Sequence, residues 1–158
     1  MKNDYKIVLA SDHAGFELKN KVKDYLQNEG YQVLDVGAVK LVPEDDYPVY
    51  MSAAALKVAE DMNGKTKAIL FGGSGQGEAI VANRFPGVRA VVWYGDGENN
   101  DQSIIKLSRQ HNDANVLSIG ARFVTYENAK QAIDDWLSTP FSNEEKHARR
   151  NELIDSIE

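Results

Sequence analysis

Ala68-Ile69-Leu70-Phe71 is an apolar run that opens directly into Gly72-Gly73-Ser74-Gly75-Gln76-Gly77. A segment with helix formers and helical apolar spacing, Glu78 to Arg84, follows at once. Four glycines in six positions let the backbone turn tightly and approach a ligand without interference from Cβ atoms. The N–H groups of such a loop, with those of a helix start, form a nest that attracts anionic oxygens. Into that nest the sequence places one hydroxyl, Ser74, and one carboxylate, Glu78. A strand, an anion-binding loop and an acid at a helix start make the working end of an α/β enzyme.

The rest of the chain fits that frame. Tyr5 to Ser11 reads as a buried strand, and Phe16, Leu18, Val22, Tyr25 and Leu26 then recur at helical spacing up to a stop at Gly30. Tyr31 to Val36 gives a second strand. Asp45-Asp46-Tyr47-Pro48 starts a helix that is predicted to run to about Met62, with Pro48 near its first position. Lys67 to Phe71 is the third strand, Val88 to Tyr94 the fourth and Asn115 to Ile119 the fifth. Helices are predicted from Ile104 towards Asn112 and from Glu127 to Leu137. A last helix is expected to begin with Phe141 as hydrophobic staple, Ser142 as N-cap and Glu145 completing a capping box.

Short strands alternating with longer helices predict an α/β fold: a three-layer, doubly wound, Rossmann-like five-stranded parallel sheet in one domain, residues 1–158. Ligands of such folds sit beyond the carboxyl ends of the strands. Asp12 and His13, the glycine loop, and Gly95 onward all fall there.

Composition narrows the function. A net charge of −6 argues against a broad nucleic-acid surface. Without cysteine there is no disulfide framework, thiol nucleophile or thiolate metal site. Three histidines with no H-x-x-x-H spacing give no metal signature. No signal-peptide h-region or membrane-length apolar stretch is visible, so the expectation is a cytoplasmic protein without metal or cofactor.

The glycine loop matches none of the common motifs. A P-loop needs Gly-Lys-Ser/Thr where this chain has Gly77-Glu78. G-x-G-x-x-G fails at Glu78, and a nucleophile elbow fails at Gln76. An ionised carboxylate beside oxyanion donors does suit proton abstraction next to a carbonyl. On residues alone, the helix dipole and nearby N–H groups are expected to keep Glu78 ionised. The plainer readings are that Glu78 complements the dipole, Ser74 caps the helix and Asp12-His13 makes a turn.

Taken together, the motifs resemble the type B ribose-5-phosphate isomerases, in the superfamily that includes the galactose-6-phosphate isomerases. The matching residues are Ser11-Asp12-His13-Ala14-Gly15-Phe16, Asp46-Tyr47-Pro48, Gly72 to Glu78, Ala82-Asn83-Arg84, Arg109 to Asn115, Gly120-Ala121-Arg122 and His147-x-x-Arg150. They span almost the whole chain in the family's order. Many members carry cysteine at the position of Gly72, while another branch uses a glutamate on the glycine-loop helix, as Glu78 here.

The resemblance implies a metal-free aldose–ketose interconversion of a phosphorylated sugar through a cis-enediolate. Glu78 would be the base, and Ser74 with the amides of Gly73, Gly75, Gln76 and Gly77 would hold the enediolate oxygens. His111 would open the sugar ring with Asp12 assisting. His13, Arg122 and Arg150 would bind phosphate, and Tyr47 and Asn112 would line the site. It also implies a homodimer, or a tetramer of paired dimers, with the regions of His111 and Arg122 supplied by the neighbour.

Two positions depart from the pattern. Lys146 stands where the glutamate branch often has a phosphate-binding arginine, keeping the charge but losing the bidentate fork. The loop Gly95 to Gln102 is longer than in compact members, which leaves six-carbon and four-carbon sugar phosphates open beside ribose-5-phosphate. Two other readings compete: a serine hydrolase using Ser74 with His111, and a non-catalytic sugar-phosphate binding module.

Overall fold

Strands buried on both faces are written as continuous apolar runs, because a parallel sheet is covered by helices above and below. The computed structural model, which describes residues 5–96 and 103–157, shows that arrangement. Its first half runs β1 (Lys6–Ser11), α1 (Phe16–Asn28), β2 (Gln32–Asp35), α2 (Tyr47–Ala59), β3 (Thr66–Gly72) and α3 (Gln76–Ala82). The second half runs β4 (Ala90–Trp93), α4 (Ile104–Asn112), β5 (Val116–Gly120), α5 (Tyr126–Ser138) and α6 (Glu145–Asp155). The five strands pair parallel in the order β2-β1-β3-β5-β4. The predicted doubly wound α/β architecture is therefore the observed one.

Alternate strand residues feed two cores. Ile7, Leu9, Ile69, Phe71, Leu117 and Ile119 pack with Val22, Leu26, Ile105, Ile133 and Trp136 from α1, α4 and α5. Val8, Ala10, Ala68, Leu70 and Val116 pack with Met51, Ala54, Ala55, Val58 and Ala82 from α2 and α3. Each large aliphatic side chain so buried contributes about 1.5–3 kcal/mol. Among the described residues no helix is long and apolar enough to cross a membrane.

The sheet order positions the site. From β1 the chain crosses to β2 on one side; from β3 it crosses to β4 on the other. The loops after β1 and β3 therefore part, leaving a crevice at the carboxyl ends of two adjacent strands. Glycines allow the walls of that crevice to close up. A Cβ on Gly15 would overlap the carbonyl oxygen of Phe71, so α1 starts directly against the end of β3. Gly75 has φ +79°, a left-handed conformation that side chains rarely adopt, and it sits against the Gly120 backbone.

Element limits differ from the sequence reading by a few residues. α2 stops at Ala59, α3 spans Gln76–Ala82 and β4 is confined to Ala90–Trp93. Gly30 ends α1 as expected, with φ +88° and the Tyr31 N–H donating back to the Leu26 carbonyl.

The start of α6 is a correction. Its N-cap is Glu144, not Ser142, and no side chain caps it. Asn143 has φ +55°, which takes the chain off a helical path at the residue after Ser142. The proposed staple and capping box are lost with that shift. Ser142 Oγ instead accepts the Glu144 N–H and faces His147 Nδ1. Of the loop expected from Gly95 to Gln102, residues 97–102 lie outside the described residues.

Candidate active site

Beyond the carboxyl ends of β1 and β3 lies a cavity of about 380 Å³. Asp12 and His13 reach it from the β1–α1 loop, Tyr47 from the start of α2, and Gly73, Ser74 and Gly77 from the glycine loop. Glu78 enters from the first turn of α3, and Arg122 with Phe123 from the segment after β5.

Glu78 is buried, at 4% exposure. Its carboxylate occupies the space that a Cβ on Gly72 would need. Burial pushes its pKa above the ordinary carboxylate value, and the nearby Asp12 charge adds to that shift against the opposing pull of a backbone N–H. The helix start thus pulls against burial, and burial is the larger effect. A dipole end stabilises charge best when water completes the solvation, and here protein has replaced the water.

The neighbours of Glu78 are held by the backbone. Asp12 Oδ1 accepts the N–H groups of Ala14 (2.9 Å) and Gly15 (3.1 Å), which fixes the β1–α1 turn. His13 Nδ1 lies 2.8 Å from Asp45 Oδ1, and the same oxygen accepts the His13 backbone N–H at 3.1 Å. Asp45 thus engages one ring nitrogen and leaves Nε2 free. The Ser118 hydroxyl donates to the Gly75 carbonyl at 2.7 Å, tying the glycine loop to β5. Ser74 Oγ accepts the Gln76 N–H at 3.3 Å, while Gly75 itself forms the N-cap of α3.

Arg122 is anchored through its own N–H to the Gly73 carbonyl at 3.2 Å. A Cβ on Gly73 would come within 3.2 Å of its Nη1. The expectation that a neighbouring chain supplies the Arg122 region is therefore corrected: this arginine stands at the cavity of its own chain. Gly75 and Gln76 are in the loop but do not line the cavity. Gly75 is buried behind it, and Gln76 is exposed.

The remaining candidates gather elsewhere. His111 and Asn112 end α4 just before β5 begins, at the opposite end of the sheet from Glu78. Five residues of β5 separate the two ends by roughly 16 Å. The His111 ring stacks on that of His147 from α6, with centroids 4.2 Å apart. Lys146 is exposed and pairs with Glu144 at 3.0 Å, and Arg150 is exposed on the same helix. Asn112 edges a second cavity of about 510 Å³ walled by Phe85, Val88, Ile154 and Ile157. Within one chain, Glu78 and His111 do not meet.

Sequence reading missed Asp45, Phe123 and Ser118. Asp45 was seen only as part of a helix start, and 32 residues separate it from His13. Asp12, His13 and Asp45 bring potential metal-ligating atoms within 4.8 Å of one another. The inner atoms are already committed: Asp12 Oδ1 to two amides, and His13 Nδ1 to Asp45.

The chain is similar to named proteins over nearly its whole length. Residues 7–154 match the family model described as Ribose/Galactose Isomerase. Ribose-5-phosphate isomerase B of Escherichia coli is 40% identical, over 97% of this chain and 96% of that protein. The Mycolicibacterium paratuberculosis protein of the same name is 37% identical, over 97% and 91%. Among solved structures, ribose-5-phosphate isomerase B of Mycoplasma genitalium with bound ribulose-5-phosphate superposes with a TM-score of 0.88 at 33% identity, covering 97% of this chain and 95% of that one. The Thermotoga maritima enzyme gives 0.84 at 38% identity, covering 97% and 99%. With a match from β1 to α6 and relatives this similar over nearly their whole length, the chain belongs to the ribose/galactose isomerase family.

Proposed function

We propose that residues 1–158 form one sugar-phosphate isomerase domain that interconverts ribose-5-phosphate and ribulose-5-phosphate, with Glu78 as the base. The carrying observation is the buried Glu78 carboxylate, its proton affinity raised by burial, at a cavity that also holds Asp12, His13, Ser74 and Arg122. A carboxylate tuned upward is better matched to moving a carbon-bound proton near neutral pH.

In this reading the ring opens first, leaving the C1 aldehyde. Glu78 removes the C2 proton, negative charge builds on O1, and the cis-enediolate forms. Ser74 and the amides of the Gly73 to Gly77 segment stabilise that charge where it develops. Glu78 then returns the proton to C1, the O2 proton passes to O1, and the C2 ketone with its C1 hydroxyl results. His13 and Arg122 bind the phosphate, and Tyr47, beside Gly77, bounds the site.

Ring opening belongs to His111 of the partner subunit in a homodimer, alone or paired into a tetramer. Asn112, Lys146 and Arg150 reach the site by the same route. Support comes from the division of the motif residues between the two ends of the sheet. Exposed Val49 on α2 (67%) and Ile80 on α3 (61%), in the layer beside the cavity, are apolar surface that a second chain would cover. A cytoplasmic location fits a cysteine-free chain acting on charged metabolites.

The test is conversion of ribose-5-phosphate by pure protein without added metal, with Glu78→Gln in parallel. Turnover that falls by about a hundredfold or more in the variant, the scale of a lost general base, is the expected result. Wild-type turnover confined to six-carbon or four-carbon sugar phosphates would move the substrate. Undiminished turnover by Glu78→Gln would remove the base.

A further inference from the structure

A surface helix normally docks through apolar side chains, and α6 does not. Its buried residues are His147 and Asn151, four apart on one face. Both face His111. The His147 ring lies over that of His111 with an interplanar angle of 37°. Asn151 Nδ2 donates to the His111 carbonyl at 3.2 Å. Leu153, Ile154 and Ile157, the large apolar residues at this end of the chain, are left exposed. The buried side chains of α6 are polar and gathered on His111, while the large apolar residues stay exposed, Ile154 and Ile157 along the cavity beside Phe85 and Val88.

His147 is itself braced. Its Nδ1 lies 3.0 Å from Ser142 Oγ. That oxygen already accepts the Glu144 N–H, and Ser142 is pinned by its own N–H to the Gln110 carbonyl, one residue from His111. The Ser142 hydroxyl therefore meets the His147 ring edge from a fixed position. A closed frame of α4, Ser142 and α6 thus surrounds His111 while leaving that residue exposed at the surface.

We propose that His147 is a positioning residue for the ring-opening step: it holds the His111 imidazole in one orientation against the neighbour's sugar. The proposal rests on the reading that His111 opens the ring. Opening requires one group to take the O1 proton of the hemiacetal and deliver a proton to the ring oxygen as the C1–O4 bond breaks. A ring free to swing about its side-chain bonds would spend little time aligned for both. The titratable and charged groups facing His147 are His111 from α4, and Glu144, Lys146 and Arg150 from α6 and its lead-in. Burial, helped by the nearby His111, lowers its own pKa.

The test separates ring opening from proton transfer. Ribulose-5-phosphate has its O5 blocked by phosphate and stays open-chain, so exchange of its C1 proton with solvent deuterium needs Glu78 but no ring opening. His147→Leu is expected to slow conversion of ribose-5-phosphate by about tenfold to a hundredfold, the scale of a misaligned catalytic group. Deuterium entry at C1 of ribulose-5-phosphate should stay within about twofold of wild type on the same basis. Ser142→Ala, which keeps the ring and removes its brace, should show a smaller split in the same direction, and His147→Gln should restore part of the loss. Equal losses in both assays for the His147 and Ser142 variants would reduce the role to folding, and no loss would make His147 idle; either outcome overturns the proposal. His111→Asn serves as the reference: if it produces no split, the ring-opening assignment of His111 fails by itself.

Discussion

At the scale of single residues, the site depends on an absence. Glu78 can point back over β3 because Gly72 has no Cβ, and a methyl group there would overlap the carboxylate. Gly72→Ala should therefore fold, since a flexible carboxylate end can move aside, yet lose at least about tenfold in turnover because the base is displaced. Thermal melts alongside steady-state rates would check it; a variant with full activity would show that the buried pose is not the working one. Burial of this acid also has a sign in stability. Its folded pKa lies above its unfolded value, so its favourable contribution is present when protonated, below the unfolded value. That contribution is lost as pH rises through the folded pKa. Glu78→Gln imitates the protonated form, so its stability advantage over wild type should grow from acid towards neutral pH and then level off. Urea unfolding across that range measures the gap, and a gap that is flat or shrinks with pH would contradict the burial argument.

At the scale of elements, the strands were legible because a sheet buried on both faces writes itself as apolar runs. Lys6–Ser11 and Thr66–Gly72 could hardly be anything else. The glycine loop was legible too, since Gly75 needs its left-handed backbone whatever the ligand. What stayed hidden was tertiary. The start of α6 was misread because Ser142, an apparent cap, is spent on His147, and Asn143 bends the chain first. The pairing of Asp45 with His13 and the upward shift of Glu78 depend on contacts between elements, which local patterns do not encode. The junction of α1 with β3 offers a test of how tightly elements set the site. At Gly15 the clash is with a backbone oxygen, Phe71 O, which cannot swing away. Gly15→Ala should cost about 1–3 kcal/mol as an overpacking substitution, lowering the melting temperature by roughly 2–12 °C for a chain of this size. Turnover should fall as well, because the Gly15 N–H anchors Asp12. A melt unchanged from wild type would mean that α1 can lift off β3 without penalty.

At the scale of the whole molecule, the residues of the proposed site stand at two opposite ends of one chain. Glu78, the glycine loop and Arg122 stand at the carboxyl end of the sheet; His111, His147 and Arg150 stand at the other. No rearrangement short of unfolding β5 brings them together, because β5 runs between the two ends with all five residues buried. The proposed twofold dimer would resolve this with no change of fold: each chain would lend its His111 end to the other's Glu78 end, making two equivalent composite sites. The consequence is complementation between inactive variants. Glu78→Gln and His111→Asn would each be deficient as homodimers. Refolded together in equal amounts, half the dimers are mixed, and each mixed dimer has one site with both lesions and one with neither. About a quarter of wild-type activity should therefore return, and pairing dimers into tetramers leaves that fraction unchanged. Recovery near that level would locate His111 across the interface. A mixture no more active than the average of its two components would mean that each chain works on its own or that His111 has no part in turnover. Ring-opening rates of His111→Asn alone separate those two cases.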